Sequence, residues 1–78
     1  MWQKTGATSK ARLDLQTRRL FYGMTRKYLS KLTGVLASEI SAIEHGVCMP
    51  RFATMRRIAR ELHFDWKDFY RAEGVDVE

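Results

Sequence analysis

The sequence predicts an all-α fold, a compact five-helix domain, on three observations. Apolar residues recur at helical spacing through most of the chain. Gly23, Gly34, Gly46 and Pro50 punctuate that pattern, dividing it into short segments. The composition, 45% hydrophobic and 29% charged with one proline in 78 residues, is that of a globular chain with a core too small for a second domain.

Residues 1–9, MWQKTGATS, show no periodicity and read as a flexible N-terminal tail that includes Trp2. Ser9 is placed to cap a first helix from about Lys10 to Tyr22, with Leu13, Leu15, Leu20, Phe21 and Tyr22 as its apolar surface and Gly23 at its end. Thr25 caps a second helix, Arg26 to Leu32, and a third runs from about Leu36 to His45. Leu29 and Leu32 lie three apart before Gly34, and Ile40 and Ile43 lie three apart after it. Each helix therefore carries one apolar stripe, and the turn at Gly34 folds the two stripes onto a shared core.

Gly46 closes the third helix, His45 to Met49 form a loop, and Pro50 opens a fourth helix of about Arg51 to Leu62. Phe52, Met55, Ile58, Ala59 and Leu62 form its core face, and Arg56, Arg57 and Arg60 a solvated one. Phe64 plugs the core, and Asp65 caps a fifth helix through about Ala72 that carries Trp66, Phe69 and Tyr70, part of which closes the core. The domain thus spans residues 10–72, and residues 73–78 form a C-terminal tail that frays.

Charge is unevenly distributed within the net +5. Residues 1–31 hold eight Lys or Arg against one Asp, whereas residues 32–78 hold six against eight Asp or Glu. Either the first part of the fold faces a polyanion, or a basic surface keeps a small protein in solution. Arg26 and Lys27 stand in the first turn of the second helix, against its macrodipole, at a cost of about 0.3–1 kcal/mol each. Arg51 is a third cation at a helix start.

Several function classes are set aside. The single Cys48 excludes an intramolecular disulfide and reads as an incidental thiol. His45 and His63 have no partners at ligand spacing, so neither metal nor cofactor is expected. No nucleophile–base pair, carboxylate pair or phosphate loop is recognisable, so the chain is read as a non-enzyme. Its first twenty residues lack a continuous apolar run, so no signal peptide or membrane span is expected and the cytoplasm is the default location.

Residues 26–45 resemble the helix-turn-helix of the phage-repressor (Cro-like, xenobiotic-response-element) family. Counting from Arg26, a small residue (Ser30) stands fifth, glycine (Gly34) ninth, and branched aliphatics (Ile40, Ile43) fifteenth and eighteenth. The small residue admits the second helix, the glycine takes the turn, and the aliphatics anchor the third helix. The likeness continues through Met24-Thr25, Ile43-Glu44-x-Gly46, Pro50 and Ile58-Ala59-x-x-Leu62-x-Phe64, covering roughly residues 13–70.

The resemblance implies a double-stranded DNA partner, with the third helix in the major groove. It implies phosphate contacts for Arg26 and for Arg51 in the loop and helix start that track the backbone; Lys27 would hold a phosphate beside them, with Lys31 assisting. Leu36, Ala37, Ser38, Glu39 and Ala42 would face the bases. It also implies a structural ion pair between Arg19 and Glu44, and a homodimer surface around Trp66, Phe69 and Tyr70.

The third helix departs from the family. Leu36 replaces the usual Ser or Thr cap, and no Arg, Gln, Asn or Lys is present for bidentate base reading. Two expectations therefore stand side by side. One is a sequence-specific transcriptional regulator, repressor-like; the other is a protein-interaction module on the same fold, an antitoxin-like or anti-repressor subunit. The bare third helix favours the second, and the basic N-terminal half with cations at two helix starts favours the first.

Overall fold

The computed structural model describes residues 9–77, so the expectations for Trp2 and residues 1–8, and for residue 78, lie outside the described residues. Five α-helices follow in order: α1 (Lys10–Phe21), α2 (Arg26–Thr33), α3 (Ala37–Glu44), α4 (Phe52–Leu62) and α5 (Trp66–Ala72). Among the described residues there is no strand, and no helix is long and apolar enough to cross a membrane.

Local chemistry sets the boundaries. Ser9, Thr25 and Asp65 cap α1, α2 and α5, each accepting a hydrogen bond from a backbone amide of the first turn. Gly34 ends α2 at φ 79°, a left-handed conformation that glycine adopts without a steric penalty, and the chain reverses there into α3. Arg51 is the N-cap of α4 rather than a residue of its first turn.

The core is one cluster. Leu15 of α1, Leu29 of α2, Ile40 and Ile43 of α3, Met55, Ile58 and Leu62 of α4, and Phe69 and Tyr70 of α5 meet in it with Ala11 and Val35. α2 packs on α3 and α4, α1 on α3 and α5, and α4 on α5. The unit formed by α2 and α3 is thereby held by α4 and α1, which α5 joins to one another.

Several side-chain placements differ from the expectations. Leu32 is exposed, and Thr33 takes its place on the buried side of α2, its hydroxyl donating to the Leu29 carbonyl and accepting from the Val35 amide. A threonine with its hydroxyl satisfied in this way has the burial behaviour of an apolar residue. Of the α1 residues expected as apolar surface only Leu15 is buried; Leu13, Leu20, Phe21 and Tyr22 face outwards.

Phe52 is half exposed, though its ring packs tilted on Trp66 and edgewise on Tyr70, with centroids at 4.9 and 4.7 Å. Phe69 and Tyr70 are buried, which removes them from the homodimer surface expected of α5 and leaves Trp66 only partly accessible. The reason is the small size of the core: a seven-residue helix bearing three aromatic rings is consumed in closing it.

The chain's end also departs from a frayed tail. Val75 and Val77 pack against the core, and the Val75 amide donates to the Tyr70 carbonyl.

Candidate nucleic-acid interface

The candidate interface is the outward side of α3 together with the starts of α2 and α4. What holds α3 in place is a buried ion cluster. Arg19 donates from Nε to Glu44 Oε2 at 2.7 Å and from Nη2 to Oε1 at 3.2 Å, and its Nη1 donates to the Met24 carbonyl at 2.6 Å. The structure thus brings Arg19 and Glu44 together, and the pair ties α1 to the last residue of α3. Ile40 and Ile43 complete the buried side of the helix.

Arg26 joins the same cluster, donating from Nε to Glu44 Oε1 at 2.9 Å. This was not foreseen: the residue expected to meet a phosphate is also the third member of the Arg19–Glu44 pair. A carboxylate flanked by two guanidiniums carries a net positive charge across the group. Arg26 stays 33% exposed, so part of its fork is open to a partner while Glu44 fixes its direction.

The other phosphate candidates stand apart from internal acids. Lys27 and Lys31 lie four apart on the exposed side of α2, Arg51 is exposed at the start of α4, and no ion pair among the described residues engages any of the three. α3 and α4 both begin without a side-chain cap, at Leu36 and at Arg51. Their first backbone amides are therefore not satisfied by a capping side chain, and such groups bind anions.

On α3, Leu36 and Ser38 are exposed, and Ala37, Glu39 and Ala42 are partly so. Ser38 and Ala42 lie on the side opposite Ile40 and Ile43, whereas Leu36 stands four residues before Ile40 and Glu39 four before Ile43, beside the buried side. His45 follows at the C-cap, its ring Nδ1 2.8 Å from the Ser41 carbonyl. The arginines of α4 behave differently from one another. Arg56 lies over the Trp66 ring at 4.9 Å, while Arg57 and Arg60 border a shallow groove with Leu32 and Thr33.

A second buried arginine was missed in the sequence. Arg12 donates from Nη1 to the carbonyls of Ile43 (2.7 Å) and Cys48 (2.8 Å) and from Nη2 to Glu73 Oε1 (3.0 Å), and lies 5.2 Å from the Phe69 ring centroid. It binds α1, the C-terminal end of α3, the α3–α4 loop and the residue after α5. Ser9 completes this group by donating its hydroxyl to Glu73. Burial pushes the Glu73 carboxyl up, but the hydrogen bonds from Arg12 and Ser9 and the guanidinium charge outweigh it and hold the group below its ordinary range.

Next to it, the Tyr70 hydroxyl donates to the Pro50 carbonyl at 2.7 Å; burial pushes its pKa up to about 12, against the opposing charge of Arg12. Pro50 and Arg51 are therefore positioned from behind by α5. A signal for Arg12 existed in the seven-residue spacing that puts it on the same face as Arg19. Cys48 is partly buried, and its carbonyl is what the Arg12 group uses.

Scans of protein-family models and of curated proteins return no match to this chain, so the reading of the interface rests on its own residues.

Proposed function

We propose that the chain is a sequence-specific DNA-binding transcriptional regulator of the Cro-like helix-turn-helix family, repressor-like and cytoplasmic, which inserts α3 into the major groove. One observation carries the reading. A short helix anchored by Glu44, Ile40 and Ile43 leaves Leu36 and Ser38 exposed; Arg26 is directed by Glu44 at its far end, and the exposed cations Lys27 and Arg51, in no ion pair among the described residues, stand at the starts of α2 and α4. In this reading Arg26, Lys27 and Arg51 hold phosphates, with Lys31 assisting. Ser38 bonds a base or phosphate, Glu39 accepts from a cytosine amino group, and Leu36 or Ala37 contacts a thymine methyl.

The test is selection from a random duplex pool, followed by titration at two salt concentrations. An enriched motif bound ~10³-fold or more above scrambled DNA is expected. Lys27→Ala and Arg51→Ala should weaken binding to every duplex and each lower the salt slope by about one, while Ser38→Ala and Glu39→Gln should change the preferred sequence. Absence of an enriched motif, with all four variants silent, would remove the DNA reading.

The second reading, a protein-interaction module, is supported by the same helix seen differently. Residues 36–44 contain no Arg, Lys, Asn or Gln, and their most exposed large side chain is the apolar Leu36. Loss of binding to a protein partner in Leu36→Ser, with DNA binding absent, would favour it.

A further inference from the structure

The side of α1 that faces away from the core is apolar. Ala11, Arg12, Leu15 and Arg19 form the buried side. Opposite them Leu13, Thr17, Leu20 and Phe21 stand at i, i+4, i+7 and i+8, one continuous ridge on the helix. Leu13 is 50% exposed, Leu20 58% and Phe21 80%. Exposed apolar residues are ordinary when scattered, but several aligned on one helix face mark an interaction surface. Folding of the single chain gains little from these three.

We infer that this ridge docks on the same ridge of a second copy of the chain, antiparallel, about a two-fold axis near Thr17. Two arguments choose a second copy. The ridge is self-complementary: when reversed, Leu13 of one copy meets Leu20 and Phe21 of the other, and the small Thr17 meets its counterpart at the axis.

The flanking charges are complementary as well. Lys10, Asp14 and Arg18 run along one edge of the ridge at four-residue spacing. In an antiparallel pair that edge meets itself reversed, so Asp14 of each copy lies near Arg18 of the other, twice over. A parallel pair turns the edge towards Gln16 of the other copy and makes neither contact. Among the described residues Asp14 pairs with the exposed Lys10 at 3.2 Å, and Arg18 lies over the Phe64 ring at 5.3 Å and donates to the His63 carbonyl at 3.5 Å; both side chains are exposed to solvent.

Twelve residues make a helix about 18 Å long, and a pair of such faces buries less than about 1,200 Å², which belongs to the small, reversible class of interface. A weak dimer, with a Kd of order 10⁻⁵ M, is the expectation to be measured. This inference does not rest on DNA binding.

Sedimentation equilibrium of the full chain without DNA, from about 1 μM to about 1 mM, tests it across that range. The mass should rise from one chain to two. Phe21→Glu should keep its helical circular dichroism and weaken the dimer by roughly 30-fold or more, because a charge then faces Leu13 of the other copy where a ring stood. Asp14→Arg and Arg18→Asp should each weaken it on their own, and an equimolar mixture of the two should restore it, because opposite charges then meet again across the axis. A chain that stays monomeric throughout, a dimer that Phe21→Glu leaves unchanged, or a mixture no better than either variant alone would each overturn the inference.

Discussion

α1 carries two buried arginines seven residues apart on one face, and they work differently. Arg19 meets Glu44, a carboxylate 1% exposed, enclosed between two guanidiniums and joined to α3. Arg12 meets Glu73, a carboxylate 12% exposed, and divides its donors among that group and two backbone carbonyls from other parts of the chain. The first is a closed ion cluster inside the fold. The second is a junction near its edge, gathering the two ends of the described chain around the α3–α4 loop. Both arginines join several segments through a carboxylate and a carbonyl; what separates them is enclosure, since Arg19 shares a buried carboxylate with a second guanidinium while Arg12 reaches a more open one and two carbonyls around the α3–α4 loop.

The widest gap between the two should appear on removing the carboxylates. Glu44→Ala leaves Arg19 buried without an opposite charge, and loss of about 3–5 kcal/mol is expected, measured by urea denaturation. With so small a core that amount is most of the total stability, so this variant should be largely unfolded at 37 °C. A loss below about 1 kcal/mol would show that water or another group reaches Arg19, and the contrast with Arg12 would collapse.

Glu73→Gln should cost less, about 2 kcal/mol, because Arg12 keeps both carbonyls and the site is open to solvent at one side. It should also change the acid limb of the stability curve. The folded-state pKa of Glu73 is lowered, so the unfolded chain binds more protons in that range. Its contribution is present above the unfolded carboxylate value, about 4.3, and is lost as pH falls through the folded value. Denaturation midpoints measured from pH 6 down to about 3 should fall less steeply in Glu73→Gln than in the parent chain. Parallel curves would mean that the Arg12 junction contributes no pH dependence.

How these two clusters differ in the sequence explains what could be read there. The five helices were legible because capping residues and breakers act locally: Ser9, Thr25, Asp65 and Gly34 do in the structure what their chemistry predicts. Arg19 and Glu44 were legible only through the spacing shared with a known pattern. Arg12 was not, because its partners are backbone carbonyls and a glutamate 61 residues away, and carbonyls leave no mark on a sequence. The second role of Arg26 was hidden for a related reason, since a cation beside a turn gives no sign of which acid will fold against it. The burial of Phe69 and Tyr70 follows from how little core there is to close, a global property that no local window contains.

The smallest expected effect tests whether the Arg19 end of α1 depends on the corner beside it. His63 closes α4 at φ 59°, the one residue other than glycine with positive φ among those described, and the Tyr22 ring lies 5.3 Å from its imidazole. The left-handed conformation costs a side-chain-bearing residue about 1–2 kcal/mol, whereas glycine there costs about 0.5–1 kcal/mol in unfolded-chain entropy. His63→Gly should therefore stabilise the fold by roughly 0.5 kcal/mol, raising the thermal midpoint by a few degrees. If the midpoint falls instead, the Tyr22–His63 contact contributes more than the relieved strain. The end of α1 would then be held by an exposed aromatic pair as well as by the enclosed ion cluster.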